Sequence, residues 1–239
     1  MKARLDKILA DSGLGTRSSV RDLIKSGKVR INDNIEKDPG KKVDTDADRI
    51  TCGGEEISFS EKVYYMLNKP AGVITATEDK NQKTVLDLIT DKKRRDLFPV
   101  GRLDKDTVGL LLITNDGALG HRLLAPGKHV AKKYLVRVDG VITDEIKDAI
   151  CSGVDIGDDK PTAPAELDSI RQTEDTDAVI YEAVITITEG RYHQIKRMFE
   201  AFGLNVIYLK RLSMGSLTLD SELEEGQWRY LTDEELKDL

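Results

Sequence analysis

The sequence predicts an α+β protein in two parts: a small N-terminal domain, then a larger one with a mixed, mainly antiparallel sheet and flanking helices. Three observations predict it. Strand-like and helix-like stretches follow one another without the regular alternation of a parallel α/β fold. Charge is divided unevenly: the first thirty residues hold eight Lys or Arg against three Asp or Glu, and the rest hold 29 basic and 40 acidic residues. The composition changes after a polar link at Ser58–Glu61, which sets domains at 1–58 and 62–239. In a chain of 239 residues, 39% hydrophobic and 33% charged, there is apolar material enough for two cores.

The first domain begins with Leu5, Ile8 and Leu9 at helical spacing, ended by Gly13. Thr16, Ser18 and Ser19 are cap residues for a second helix, with Val20, Leu23 and Ile24 as its apolar stripe and Gly27 as its stop. Val29 and Ile31 alternate with Arg30 and Asn32 as a strand does, Asp33-Asn34 and Asp38-Pro39-Gly40 are turns, and Arg49–Cys52 is a further short strand running into Gly53-Gly54. Lys2, Arg4, Lys7, Arg17, Arg21, Lys25 and Lys28 stay outside the apolar stripe. Such a basic helix pair can track a phosphate backbone. The series Arg4-Leu5-Asp6-Lys7, Thr16-Arg17 and Gly27-Lys28-Val29-Arg30-Ile31-Asn32 resembles the S4-like RNA-binding domain. Asn34 stands near that family's glycine turn, and Asn tolerates the same backbone region. The resemblance implies that Arg4, Lys7, Arg17, Arg21 and Lys28 bind RNA.

The second domain opens with VYYMLNKPAGVITAT, Val63 to Thr77, read as a strand, a glycine turn and another strand. Later strands fall at Leu110–Thr114, Lys133–Val138, Val179–Ile187 and Asn205–Leu209, and helices at Thr84–Leu88, Gly117–Leu124, Asp144–Ser152 and Gln194–Ala201. Asp116-Gly117 is a turn before a helix, Gly190 a point of tight backbone packing, and Trp228 and Tyr230 belong to a late strand closing the sheet. The acidic tail is a solvated helix capped by Thr232. No internal repeat interrupts this order.

Several function classes are excluded or disfavoured. No apolar run is long enough to span a bilayer, and the charged start MKARLDKILADSG lacks the apolar centre of a secretion signal, so the expected location is cytoplasmic, with no membrane partner. Cys52 and Cys151 read as free thiols of a reducing compartment. His121, His129 and His193 are too scattered for a zinc site, and Asp104 with Asp106 has no third ligand, so no metal is expected. No G-x-G-x-x-G or G-x-x-x-x-G-K pattern follows a strand, which argues against a nucleotide-dependent enzyme.

Three stretches of the second domain carry chemistry: GRLDKDTVGLLLITNDG from Gly101, KKYLV from Lys132 and EGRYHQIKRM from Glu189. With LNKPAG before them, they closely resemble the pseudouridine synthases, and HRLLAPGKHVAKKYLV resembles the branch acting on small-subunit (16S) ribosomal RNA. The resemblance implies isomerisation of a uridine, whose nitrogen–carbon bond to ribose is exchanged for a carbon–carbon bond. It implies Asp104 as nucleophile, with Lys196 or the adjacent Arg197 as the cation beside it, and neither choice is fixed by sequence. A nearby cation favours the ionised carboxylate that a nucleophile needs. Tyr134 would stack on the base and assist removal of its carbon-5 proton. The uridine must be flipped out of its helix, and Arg102 and Lys69 are candidates for filling the gap or holding phosphates. Lys69 could equally be an exposed lysine at a strand end. Arg191 and His193 join the RNA-binding set, His193 either as a general base or as a hydrogen-bonded support of its motif. No cofactor is implied, and the expected partner is ribosomal RNA within a precursor particle, bound by a monomer. The same reaction on large-subunit (23S) RNA, or a non-catalytic assembly factor keeping the fold, are the alternatives.

Overall fold

The computed structural model describes residues 2–12, 14–45, 47–57, 62–91, 96–173 and 179–239. Gly13 and the Ser58–Glu61 link lie outside the described residues. The chain divides into two compact units, Met1–Lys62 with Thr90–Leu97, and Val63–Ile89 with Phe98–Leu239.

In the first unit, β1 (Lys2–Arg4) leads directly into α1 (Leu5–Asp11), and α2 (Arg17–Lys25) follows. Of the three possible caps it is Thr16 whose hydroxyl accepts from the Ser19 amide, at 3.2 Å. β2 (Val29–Ile31), β3 (Asn34–Ile35), β5 (Ile50–Cys52) and β6 (Glu55–Glu56) form a small sheet in the order β3-β2-β5-β6, while β4 (Lys42–Asp44) pairs with β1. Leu5, Ile8, Leu9, Val20 and Ile24 bury the helices against Val29, Val43 and Ile50. Leu23 is only partly buried. The hairpin turn falls one residue earlier than expected. Asn32 and Asp33 take positive φ values of 48° and 67°, and Asn34 already belongs to β3. A two-residue hairpin loop needs both residues there, and Asn and Asp accept that region.

Asp6 organises this unit's charges. Its buried carboxylate accepts from Arg4 Nε and Arg21 Nε, each at 3.0 Å. The Arg4 hydrogen bond, against the effect of burial and with help from Arg21, holds the carboxyl well below the usual carboxylate range. A carboxylate with a depressed folded pKa stabilises fully above its unfolded pKa, and the contribution fades as pH falls below about 4. Asp6→Asn is therefore expected to be less stable than wild type at neutral pH and to converge on it in acid. Thermal melts of the two full-length chains as a function of pH test this; a stability gap that stays constant down to about pH 2 contradicts it.

The second unit contains β7 (Tyr64–Lys69), β8 (Phe98–Pro99), β9 (Val108–Thr114), β10 (Lys132–Asp139), β11 (Glu166–Gln172), β12 (Ile180–Ile187), β13 (Asn205–Met214), β14 (Leu217–Thr218) and β15 (Trp228–Tyr230). Its helices are α3 (Gly117–Leu124), α4 (Asp144–Ser152), α5 (Gln194–Glu200) and α6 (Asp233–Lys237). The main sheet runs β11-β12-β10-β13-β9-β7-β15, antiparallel throughout except where β13 meets β9 in parallel. β15 is the edge strand expected at Trp228–Tyr230, and Trp228 and Tyr230 pack on the ring of Tyr65 at 5.1 and 4.9 Å. Thr232 and Glu235 form a full capping box on α6. Two expectations fail. The segment after Gly72 is not a strand; Ile74 makes only an isolated bridge to Thr84. Thr84–Leu88 is a short 3₁₀ turn at Val85–Leu88, tightened by reciprocal Thr84–Asp87 hydrogen bonds.

All seven residues of β9 are buried. Leu110 and Leu112 face a core with Met66, Val100, Leu119, Leu123, Met214, Leu217 and Leu231, and Leu111 and Ile113, on the other face, are equally covered. This explains an unbroken apolar run in place of alternation. At its start Gly109 has φ 99°, and a Cβ there would lie 2.3 Å from the Arg211 carbonyl oxygen of β13. Only glycine admits this approach. Gly109→Ala is expected to cost about 3 kcal/mol or more, read as a loss of unfolding free energy in denaturant titration.

Candidate active site

The loop between β8 and β9, Gly101 to Thr107, is held from two sides. Thr75, on the irregular segment after β7, accepts from the Leu103 amide at 3.1 Å and donates to the Leu103 carbonyl at 2.7 Å. From below, Lys69 at the end of β7 donates to the carbonyls of Pro70, Lys105 and Thr107 at 3.0, 3.3 and 2.8 Å. The Gly72 amide adds a bond to Lys105 O at 2.8 Å. Lys69 is fully buried. Burial lowers its pKa to about 8, against the pull of Asp106, Asp104 and Glu225. Neither sequence reading of Lys69 survives: it is not exposed, and its ammonium is spent on the loop rather than free for a phosphate.

The loop presents Asp104, 31% exposed, to the first turn of α5. Lys196 Nζ stands 3.3 Å from Asp104 Oδ2 and 2.6 Å from Asp106 Oδ1, so one ammonium bridges two carboxylates. Burial works against its charge, but the Asp106 hydrogen bond and the two carboxylate charges outweigh it and raise its pKa. His193 Nε2 is 3.5 Å from Asp104 Oδ1. Among the described residues no group of three or more His, Cys, Asp or Glu could hold a metal ion.

Arg197 takes no part in this pairing. Successive helical residues point about 100° apart, and its guanidinium turns away to Asp158, at 2.6 Å, and to the carbonyls of Ile156 and Tyr192. Arg191 is likewise occupied internally, by Glu189 and by the carbonyls of Lys160 and Pro161 at 2.6 and 2.8 Å. Buried Gln194 receives the Arg191 amide and donates to Glu189, each at 2.9 Å, so this motif braces itself. A Cβ on Gly190 would meet nothing within 4 Å, and the tight packing expected there is absent. His193 adopts φ 50° just before α5, and its ring stacks on Tyr192 at 3.8 Å.

Asp104, Arg191, His193, Gln194 and Lys196 rim a pocket of about 740 Å³. Its walls include Arg102, Asp104, Tyr134, Tyr192, His193 and Lys196. Tyr134 is 7% exposed on β10, between Ile185 of β12 and Arg211 of β13 in register. Arg102 is exposed and has no ion-pair partner among the described residues. Pocket residues with no role assigned from sequence include Thr75, Lys132, Tyr192 and Arg211. Arg211 had a readable signal, a charge two residues after Leu209 at an inward position of a strand.

The same chain matches the family model "RNA pseudouridylate synthase" over residues 63–201 and the S4 domain model over residues 3–50. The chain belongs to the RNA pseudouridylate synthase family. It is 48% identical to the "uncharacterized RNA pseudouridine synthase YtzG" of Bacillus subtilis, over 98% of this chain and 96% of that one. It is 39% identical to the "ribosomal small subunit pseudouridine synthase A" of Vibrio cholerae (98% and 97% covered) and 40% to the "ribosomal large subunit pseudouridine synthase B" of Bacillus subtilis (99% and 95%). A crystal structure of a pseudouridylate synthase, 36% identical, superposes with a TM-score of 0.68 over 98% of both chains. The protein is thus an isomerase acting on RNA with an α+β fold and an N-terminal S4 domain. Within that domain Lys7, Arg17 and Lys28 are exposed cations with no ion-pair partner among the described residues, whereas Arg4 and Arg21 are engaged with Asp6.

The geometry of Lys69 gives a test that separates support of the loop from phosphate binding. Lys69→Met takes a donor from three carbonyls, of which Lys105 O keeps the Gly72 amide, and is expected to cost about 3 kcal/mol of stability with RNA affinity unchanged. Denaturant titration beside a filter-binding assay reads both, and a variant of normal stability with weakened RNA binding refutes the supporting role.

Proposed function

We propose that this pseudouridine synthase converts one uridine of small-subunit (16S) ribosomal RNA, with Asp104 as nucleophile. The observation that carries the reading is the placing of Asp104 at the wall of the pocket, 3.3 Å from an ammonium and in the same cavity as Tyr134. A carboxylate paired with a cation is suited to attack a sugar carbon or a pyrimidine ring. Lys196 supplies the cation, Tyr134 the flat face for the base, and exposed Arg102 a group able to fill the space the flipped nucleotide leaves. His193, stacked on Tyr192, supports the rim of the pocket. Lys7, Arg17 and Lys28 of the S4 domain hold structured RNA through phosphates. In this reading residues 1–58 bind and residues 62–239 catalyse, in the cytoplasm, as a monomer on RNA of a precursor particle.

The small-subunit assignment draws support from the Vibrio cholerae relative and from HRLLAPGKHVAKKYLV. The large-subunit name of the Bacillus subtilis relative, at 40% identity, favours the second reading, the same chemistry on 23S RNA. An assembly factor without catalysis is disfavoured by the intact Asp104, Tyr134 and Lys196.

Carbodiimide mapping of pseudouridines in total ribosomal RNA, with and without the gene, tests substrate and nucleophile together. One small-subunit stop is expected to vanish in its absence. It returns with wild type and not with Asp104→Asn, whose RNA affinity stays near normal. Loss of a large-subunit stop instead overturns the substrate and keeps the chemistry. A stop restored by Asp104→Asn overturns the nucleophile.

A further inference from the structure

Arg211 is one of the largest fully buried side chains of the protein, 2% exposed, and its Nη2 has no hydrogen-bond partner. Its Nε donates to the Leu110 carbonyl at 2.7 Å. No carboxylate pairs with it among the described residues. A buried guanidinium with an idle donor and no counter-charge is costly to fold, and such orphans in native structures call for an explanation.

The surroundings supply one. Arg211 stands opposite Tyr134 in the β10–β13 register, so the two side chains share a face of the sheet and line the same pocket. Lys132, two residues before Tyr134, lines that pocket too. Its Nζ donates to the Val130 carbonyl at 3.0 Å, and it has no ion-pair partner among the described residues. Burial, and then the charge of Arg211, lower the Lys132 pKa, so the two cations feel one another. The pocket's carboxylate, Asp104, is engaged by Lys196, which Asp106 outside the lining also holds. The interior of the pocket therefore carries two unneutralised cations and awaits negative charge. A backbone phosphate is a poor candidate for so buried a donor, because it stays with the strand on the outside, where Arg102 is exposed. The flipped base is the part that enters.

We propose that Arg211, assisted by Lys132, is a further catalytic residue, whose guanidinium donates to a carbonyl oxygen of the flipped uracil and holds the negative charge the ring takes on detachment. The inference rests on the uridine-isomerase reading. In that reaction the N1–C1′ bond breaks and its electron pair stays on the ring, shared between nitrogen and the carbonyl oxygens. C5 then bonds to C1′, the bond that Asp104 made breaks and returns its electron pair to the carboxylate, the C5 proton is lost and N1 takes one up, so atoms and electrons balance without an outside reagent. Preorganised donors aimed at developing negative charge act most strongly in a site shielded from water.

The test uses ribosomal particles and deproteinised RNA from cells lacking the gene, labelled with [5-³H]uridine, since the C5 proton is released in the reaction. Single-turnover tritium release, RNA affinity and melting temperature are measured for wild type, Arg211→Met, Arg211→Lys, Lys132→Met and Asp104→Asn. Arg211→Met is expected to react about 100-fold more slowly with RNA affinity unchanged and no loss of melting temperature, because an uncompensated buried charge is gone. Arg211→Lys recovers part of the rate, and Lys132→Met loses about 10-fold. A wild-type rate in Arg211→Met overturns the proposal, as does a rate loss that only follows a fall in melting temperature. Should Arg211→Met fail to fold, Lys132→Met decides: a slow step at normal affinity upholds the proposal, and a wild-type rate overturns it. Failure of the underlying reading shows differently, as no tritium release by wild type or release independent of Asp104, and takes this inference with it.

Discussion

The buried ammonium of Lys69 ties the first strand of the sheet to the loop that carries Asp104. Loops seldom hold a side chain to catalytic precision by themselves, because their backbone groups have no ladder to satisfy them. Here three carbonyls from Pro70, Lys105 and Thr107 converge on one cation, and Thr75 grips Leu103 from the opposite side. The cation remains expensive: its pKa falls to about 8 through burial. The negative charges of Asp104, Asp106 and Glu225 offset part of that cost. Support and active site thus stabilise each other, since the aspartates that Lys69 helps to position also favour its charge.

The charges of the pocket are sorted by position. Around Asp104 the two carboxylates share the single Lys196 ammonium, so each has a cationic partner before RNA arrives. Asp106 is the minor partner in chemistry and the major one in geometry, because its 2.6 Å contact fixes where the Lys196 ammonium sits against Asp104. Around Lys132 and Arg211 the opposite holds, with cations that have carbonyl partners only. A substrate that is neutral when it enters and anionic part-way through would meet paired charge at Asp104 and unpaired positive charge at Lys132 and Arg211.

Much of this was legible where the signal is local. The Thr16 cap, the Thr232 capping box, the edge strand at Trp228–Tyr230 and the buried run of β9 all follow from short-range chemistry. The motif residues of the site, Asp104, Tyr134 and Lys196, were readable as a family pattern, and the structure brings them to one pocket. What sequence could not supply is which cation meets which anion. Lys196 and Arg197 are neighbours in sequence and diverge by one helical step; only the position of the 156–158 segment shows that Arg197 already has Asp158. Lys69 looked like a strand-end lysine because the residues that bury it lie more than thirty positions downstream. Arg4 and Arg21 looked free because the buried Asp6 between them reads, in sequence, as one more polar helix residue. In each case the contact is made by tertiary packing, which periodicity does not encode.

Arg211 shows where local rules fail for a functional reason. Its position on β13 follows the alternation of an inward residue, and a leucine there would pack without electrostatic cost. Its backbone is fixed independently, because β13 approaches β9 so closely that Gly109 must lack a side chain. The same close approach puts the Leu110 carbonyl within reach of Nε. The guanidinium is therefore oriented by one hydrogen bond while another nitrogen stays unused. A fold selected for stability alone has no need of that arrangement, and consistency across levels of structure is expected to break at sites that serve a ligand. The tight parallel contact of β9 and β13 then bears on the pocket, since it places the Leu110 carbonyl that holds Arg211 Nε.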